Sequence, residues 1–136
     1  MKISEIIEII QQAGLSLPPA FQRETPEALA RYYNGIGPEQ FHECIRRFIT
    51  WALERMEPLA FIHDIEYGTT NPTFWAFCVA QMRWAYNAVK IYFFSSSPRY
   101  ASHRKRFLLV AELCALSCQL GGWWGFKKGL EKKGGQ

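Results

Sequence analysis

Acidic side chains are scarce and unevenly placed in this chain of 136 residues. Aspartate occurs once, as Asp64, and no acidic residue of either kind lies between Glu66 and Glu112. A histidine–aspartate metal phosphohydrolase needs further aspartates downstream of the first pair, and the sequence has none. That class of enzyme is therefore excluded, and any site built between these two glutamates has to work without carboxylates.

Targeting and membrane signals are also missing. No uncharged apolar stretch reaches the ~20 residues that a membrane span requires. The opening segment MKISEIIEIIQQAG carries Glu5 and Glu8 within its apolar run and lacks a small-residue cleavage site. It therefore predicts an amphipathic helix and not a signal peptide. We expect a protein that is cytoplasmic at synthesis, which leaves delivery by a phage or later release open.

Cysteine chemistry is a further class of function that the sequence does not support. The four cysteines come without secretory context and are expected to be reduced. Cys114 and Cys118 share a helical face, but no other Cys or His pair has the spacing of zinc ligands. We interpret these two as small buried hydrophobes.

Positive charge fills the interval that lacks acids. The net charge is +4, and the interval holds Arg83, Lys90, Arg99, Arg104, Lys105 and Arg106. A basic face can meet nucleic acid, anionic lipid or a phosphate-bearing ligand, or it can be a solvated helix face. No recognition motif supports nucleic acid as a partner, whereas a lipid or membrane surface remains open. The sequence does not indicate an oligomeric state.

Apolar residues recur at helical spacing and predict an all-α fold in a single domain, residues 1–136. The N-terminal isoleucines predict a first helix that ends at Gly14, and Thr25 predicts the cap of a short helix to about Tyr32. Later segments predict helices over 41–53, 58–67, 72–94 with Asn71 as cap, and 98–120 before Gly121-Gly122. In the helix over 72–94, we expect the aromatic side chains that face the core to be Trp75, Phe77, Trp84 and Tyr86.

The only aspartate follows a histidine in the segment FIHDIEYG. On a helix, His63 and Tyr67 share a face, while Asp64 points about 100° away and is poorly placed to orient the histidine ring. Asp64 could instead hold a cation beside a substrate. A hard cation such as Ca²⁺ needs six to eight oxygens, so backbone carbonyls of the Gly-rich loop 33–37 would have to supply the rest.

These residues resemble the phospholipase A2 family, especially its compact disulfide-free forms from viruses and phages. Tyr33-Asn34-Gly35-Ile36-Gly37 is similar to the family's calcium loop, and the stretch 60–67 is similar to its catalytic Ala-x-x-His-Asp-x-x-Tyr helix. The resemblance covers residues 33 to about 84. It implies a scaffold of two antiparallel helices with a calcium-type loop and extra peripheral helices.

The resemblance also implies a set of site residues. The Asp64 carboxylate and the carbonyls of Tyr33, Gly35 and Gly37 would hold Ca²⁺, and His63 would be the general base for an attacking water. The cation and the Gly35 amide would stabilise the oxyanion. Tyr67 would belong to the hydrogen-bond network behind the ring.

One position departs from the family's pattern. The family orients its histidine with an aspartate on the second helix, where this chain has Gln81. The turn near Thr69 and Thr70 predicts that Gln81 comes within hydrogen-bond reach of His63, whereas Asn87 lies too far along. An amide can fix the tautomer of the ring but cannot stabilise an imidazolium by charge. In a serine protease triad the corresponding change costs about 10⁴ in kcat.

Three functional hypotheses follow. The first is a calcium-dependent lipid esterase that is weak or specialised because of Gln81. The second is a degenerate relative that binds a lipid, a phosphate-bearing ligand or a protein without turnover, and the third is a basic nucleic-acid-binding module. A purely structural alternative makes His63 a satisfied core histidine, with His42 and His103 as ordinary surface or capping residues.

The C-terminal segment combines aromatic and basic residues. Trp123, Trp124 and Phe126 stand beside lysines, as in segments that lie at a lipid interface. The competing interpretation, which we favour, is that the tryptophans fold back onto the core and only the basic tail 127–136 is flexible.

Overall fold

The computed structural model describes residues 1–33, 42–44, 47, 53–71, 73–94, 100 and 104–116, with the backbone alone at residue 94. Helix accounts for 79% of the interpretable residues, and no strand occurs among them. The all-α class predicted from the sequence is therefore confirmed. None of the helices in this described part combines the length and apolarity that a bilayer crossing requires.

The main helical segments among the described residues follow one another along the chain. They are α1 (Ile3–Gln12), α2 (Ala20–Arg23), α3 (Pro26–Ala30), a 3₁₀ turn (Glu54–Met56), α4 (Glu57–Thr69), α5 (Phe74–Phe94) and α6 (104–116). A single hydrophobic cluster extends from α1 to α6.

The N-terminal helices form where the sequence predicts them. Ile6 and Ile10 of α1 are fully buried because their spacing of four places them on one face. The helix ends before Gly14, whose φ of 57° is the left-handed conformation that glycine adopts without strain. At the start of α3, Thr25 accepts a hydrogen bond from the Ala28 amide through its hydroxyl, and Pro26 follows at the first helical position.

Helices α4 and α5 are neighbours joined by the short connection 70–73, and α4 also packs against α1 and α2. Helix α4 is the most buried element of the described chain, because other helices cover several of its faces. Pro58 lies in its first turn, where the missing amide hydrogen costs nothing.

The start of α5 differs from the prediction. We expected Asn71 to cap a helix from residue 72, but the helix begins at Phe74. Thr73 is the cap, since its hydroxyl accepts from the Ala76 amide at 3.1 Å. Thr73 lies directly before the first helical residue and therefore reaches the free amides of the first turn, whereas the Asn71 carbonyl accepts from the Thr73 amide in the preceding turn.

Two of the four aromatic residues predicted in the core of α5 are on its surface. Phe77 and Trp84 are buried as expected, but Trp75 is 74% exposed and Tyr86 54% exposed. Positions 77, 84, 88 and 91 share the face that meets the core, and the Trp84 indole donates to the Ala111 carbonyl of α6 at 3.0 Å. Trp75 and Tyr86 lie on the opposite side of the helix.

Several predictions fall outside the described residues and remain predictions. They concern most of the helix over 41–53, the break at 95–98, the helix end at Gly121-Gly122, the tryptophans of the C-terminal segment, the tail 127–136, His103 and Cys118. Of the other residues discussed above, His42 is exposed as expected and Cys114 is only half-buried.

Candidate functional site

His63 lies near the middle of α4 and faces α5. Its ring is enclosed by two aromatic side chains, with centroid distances of 4.0 Å to Tyr67 and 5.4 Å to Trp84. Tyr67 is four residues away on the same helical face, and Trp84 comes from the facing helix. Only 9% of the residue is exposed.

Gln81 of α5 bridges the two polar groups that α4 presents. Its Nε2 lies 3.1 Å from His63 Nε2 and donates to the Tyr67 hydroxyl at 2.7 Å. The contact between His63 and Gln81 predicted from the geometry of the turn is therefore present. The predicted network residue, Tyr67, joins it by accepting a hydrogen bond from the Gln81 amide.

The orientation of the Gln81 amide decides what the histidine can do. With the amide nitrogen towards the ring, His63 Nε2 has to be the acceptor, so the ring proton resides on Nδ1 and no lone pair remains there. Rotating the amide by about 180° would let its oxygen accept from both His63 Nε2–H and the Tyr67 hydroxyl. The Nδ1 lone pair would then be available as a base.

A buried oxygen accompanies this arrangement. Gln81 Oε1 is inaccessible to solvent and has no hydrogen-bond partner among the described residues. Leaving a buried polar atom unpaired costs about 1–3 kcal/mol. The rotation only exchanges an unpaired carbonyl for an unpaired amino group, so neither orientation satisfies the whole amide from within this part of the chain.

Burial also sets the protonation state of the ring. It lowers the pKa of His63 from 6.5 to about 4, because the charged imidazolium loses its hydration and no neighbouring carboxylate compensates. This shift of the pKa means that burial favours the neutral ring over the imidazolium by about 3 kcal/mol. At neutral pH, His63 is therefore an uncharged hydrogen-bonding group.

A second set of contacts holds α5 in register beside α4. Arg83 pairs with Glu66 at 3.0 Å and also donates to the Ser16 hydroxyl and the Leu17 carbonyl. Asn87 accepts from the Ser16 amide at 2.7 Å and donates to the Ser16 carbonyl at 2.9 Å. These contacts lie on the same helix as Gln81 and join α5 both to α4 and to the segment that follows α1.

Two opposing effects act on the pKa of the buried Glu66 carboxylate. Burial raises the pKa of Glu66, and the Arg83 guanidinium opposes that rise. We did not anticipate either this ion pair or the clamp of Asn87 on Ser16 from the sequence. No local spacing signals the contacts of Ser16, because it lies 67 residues from Arg83 and 71 from Asn87. Glu66 and Arg83, in contrast, face each other across the same turn as His63 and Gln81.

Asp64 lies close enough to Tyr33 for its charge to act on the tyrosine hydroxyl. Its charge contributes to raising the pKa of Tyr33, after the larger effects of burial and of the Glu57 carboxylate. The Tyr33 hydroxyl donates to Glu57 at 3.2 Å, and its ring packs edge-on against Phe61 at 5.5 Å. Glu57 also accepts from the amino group of Met1 at 2.7 Å.

Two of the four residues predicted to bind a cation, Tyr33 and Asp64, belong to the described part of the chain. Asp64 and the Tyr33 carbonyl are oxygen donors of the kind that Ca²⁺ prefers. Gly35 and Gly37, whose carbonyls were also predicted as ligands, lie outside the described residues. Among the residues that are described, no group of three or more His, Cys, Asp or Glu side chains could hold a metal ion.

Comparison with known proteins found no match. No protein-family model matches the chain, no curated protein matches its sequence, and no solved structure matches its fold. The function therefore has to be inferred from the residues of the site alone.

Proposed function

We propose that this chain is a hydrolase similar to phospholipase A2, which uses a water activated by His63 to cleave a lipid ester at a low rate. The observation that carries the proposal is the Gln81 amide, which contacts both His63 and Tyr67 at the interface of α4 and α5. The phospholipase A2-like scaffold of two antiparallel helices is part of the same proposal.

The chemical step needs the amide oxygen of Gln81 to face the ring. His63 Nε2–H then donates to that oxygen, and Nδ1 takes a proton from water while the resulting hydroxide attacks the ester carbonyl. The proton next passes to the departing alkoxide, which leaves a fatty acid and an alcohol. His63 is neutral at pH 7, since burial lowers its pKa to about 4, so the lone pair is not lost to protonation.

The same burial limits the rate. An imidazolium has to form during the attack, and its burial without a carboxylate costs about 3 kcal/mol. A weak hydrolase is therefore the expected outcome of a glutamine at position 81.

Calcium belongs to the proposal as a ligand of Asp64 and of the carbonyls of Tyr33, Gly35 and Gly37. When bound, it would supply positive charge for the oxyanion, together with the Gly35 amide. The support for this is the proximity of Asp64 to Tyr33, whose pKa its charge helps to raise.

A second candidate function is binding of a lipid or phosphate-bearing ligand without turnover. It is favoured by the amide orientation in which Gln81 Nε2 faces the ring. In that orientation Nδ1 carries the proton and cannot act as a base.

Hydrolysis of labelled phospholipid vesicles, with Ca²⁺ and with a chelator, separates the two functions. We expect slow calcium-dependent release of fatty acid by the wild type and its loss in His63→Asn. The matched control is His42→Asn, because His42 is exposed and lies outside the site. Vesicle binding with no release above background would refute hydrolysis and support the binding function.

A further inference from the structure

A continuous apolar stripe runs along the outer face of α5. It consists of residues opposite the face that meets α4, and most of them are largely exposed. They are Trp75 (74% exposed), Val79 (half-buried), Met82 (67%), Tyr86 (54%), Val89 (40%) and Phe93 (61%). We call these six residues the α5 seam.

The spacing of the α5 seam is that of a coiled-coil interface. Successive members are separated by four, three, four, three and four residues. A heptad repeat of this kind keeps apolar side chains on one side of a helix, where each can insert between side chains of a second helix. The seam spans about 27 Å along the axis, so it presents a line of contact and not an isolated apolar residue.

The exposed area is sufficient for a specific interface. The three aromatic members, at ~150–250 Å² per ring residue, expose about 280–470 Å², and Met82 and Val89 bring the exposed surface of the seam to about 500 Å². This lies near the upper end of the largest apolar patches on monomeric proteins, ~300–600 Å². Pairing two seams would bury about 1,000 Å² in total, which is the lower limit for a biological interface.

The charges beside the α5 seam favour a protein partner over a lipid surface. The two cations of α5 are Arg83 and Lys90, and both make contacts within their own chain. Arg83 pairs with Glu66, and Lys90 donates to the Gly14 carbonyl. A helix that lies on an anionic membrane instead directs its cations to the headgroups. No acidic residue occurs on α5 that would repel or attract a charged partner.

We infer that two copies of this chain pair through the α5 seam to form a symmetric dimer. The repeat is centred on residue 84, so an antiparallel pair of α5 helices brings Met82 of one copy opposite Tyr86 of the other. It likewise pairs Val79 with Val89 and Trp75 with Phe93. A thioether against an aromatic ring is a favourable contact, and antiparallel helix dipoles attract. The inference does not depend on the proposed hydrolysis.

Sedimentation velocity of the full chain over the micromolar concentration range tests the dimer. We expect the wild type to change from monomer to dimer across this range, since its interface is at the small end of the specific class. Met82→Glu should raise the dissociation constant at least about a hundredfold, because each copy would bury an unpaired carboxylate. Trp75→Gln should weaken the dimer as well. Neither change should alter the helical content, as both side chains are exposed.

The matched control is Leu109→Glu on α6. Leu109 is 62% exposed, a fraction similar to the 67% of Met82, and its replacement by Glu makes the same change of charge. Its dissociation constant should equal that of the wild type. A wild type that stays monomeric overturns the inference. So does a dimer whose dissociation constant changes equally in all three variants, or in none of them. Monomeric wild type that binds anionic vesicles through Met82 would instead assign the seam to a lipid surface.

Discussion

Replacing Gln81 by Glu tests the electrostatic reasoning about the site directly. The substitution keeps the size of the side chain and places a carboxylate 3.1 Å from His63 Nε2 and 2.7 Å from the Tyr67 hydroxyl. A carboxylate accepts hydrogen bonds and does not donate them. The ring proton is therefore drawn to Nε2, and the Nδ1 lone pair becomes available whichever way the original amide faces.

The expected magnitude follows from the pKa of His63. It is about 4 in the wild type because burial is not compensated by a nearby negative charge. An opposite charge within hydrogen-bond distance shifts a pKa by about 1–3, so Gln81→Glu should raise the pKa of His63 to about 5–7. If the chain is a hydrolase, the rate should rise by at least about tenfold, with the ~10⁴ of the serine protease analogue as the upper limit.

The assay is an NMR titration of the histidine rings, with the His63 signals assigned from their absence in His63→Asn. The control is Gln11→Glu, which makes the same change of charge at an exposed position of α1 and should leave the pKa of His63 near 4. A pKa of His63 that also stays near 4 in folded Gln81→Glu would refute the reasoning. The proton would then reside on the new carboxylate or the two groups would not interact.

The remaining predictions concern stability, calcium and the C-terminal segment. Between pH 6.5 and about 4 the unfolded chain binds a proton at His63 that the folded chain does not, so stability should fall by about 3 kcal/mol as the pH falls through that window. Urea titrations should show a smaller fall in His63→Asn. Calorimetry should detect weak Ca²⁺ binding, which Asp64→Asn abolishes; an equal response in both proteins would contradict the site. Arg83→Met should cost about 3 kcal/mol by leaving a buried carboxylate unpaired, whereas Arg47→Met, in a pair that is 80% and 62% exposed, should cost less than about 1 kcal/mol in the same melts. Truncation after Leu120 removes Trp123 and Trp124. It should destabilise the fold by ~3 kcal/mol or more if these tryptophans pack on the core, and an unchanged melting curve would show that they do not.

Local features of the fold could be predicted from the sequence because their causes are local. The cap at Thr25 and the end of α1 before Gly14 depend on backbone preferences of a few neighbouring residues. The contact of His63 with Gln81 was also predictable, since a short turn and the fixed rise of two helices leave few choices of register. The choice of Thr73 over Asn71 as the cap of α5 was not predictable, because both residue types can cap a helix and they lie within three residues of each other.

Which face of α5 would be buried could not be read from its sequence. The helix carries large apolar residues on most of its circumference, so the period of the pattern identifies a helix without identifying its inner side. Trp84 and Trp75 are chemically alike, yet Trp84 is 7% exposed and Trp75 74% exposed. The difference arises because α4 and α6 cover one face of α5.

Most helix positions in the described residues and the pairing of His63 with Gln81 follow from residue spacing, whereas the electrostatic environment of that pair depends on how the helices pack. The pKa of His63 depends on the depth of burial produced by helices packing together. The contacts of Arg83 and Asn87 with Ser16 join segments far apart along the chain. Residue spacing constrains only what lies within a few turns of a helix. Contacts between distant segments form because burying the apolar faces of α1, α4 and α5 together brings these polar groups out of water, where they need one another as partners.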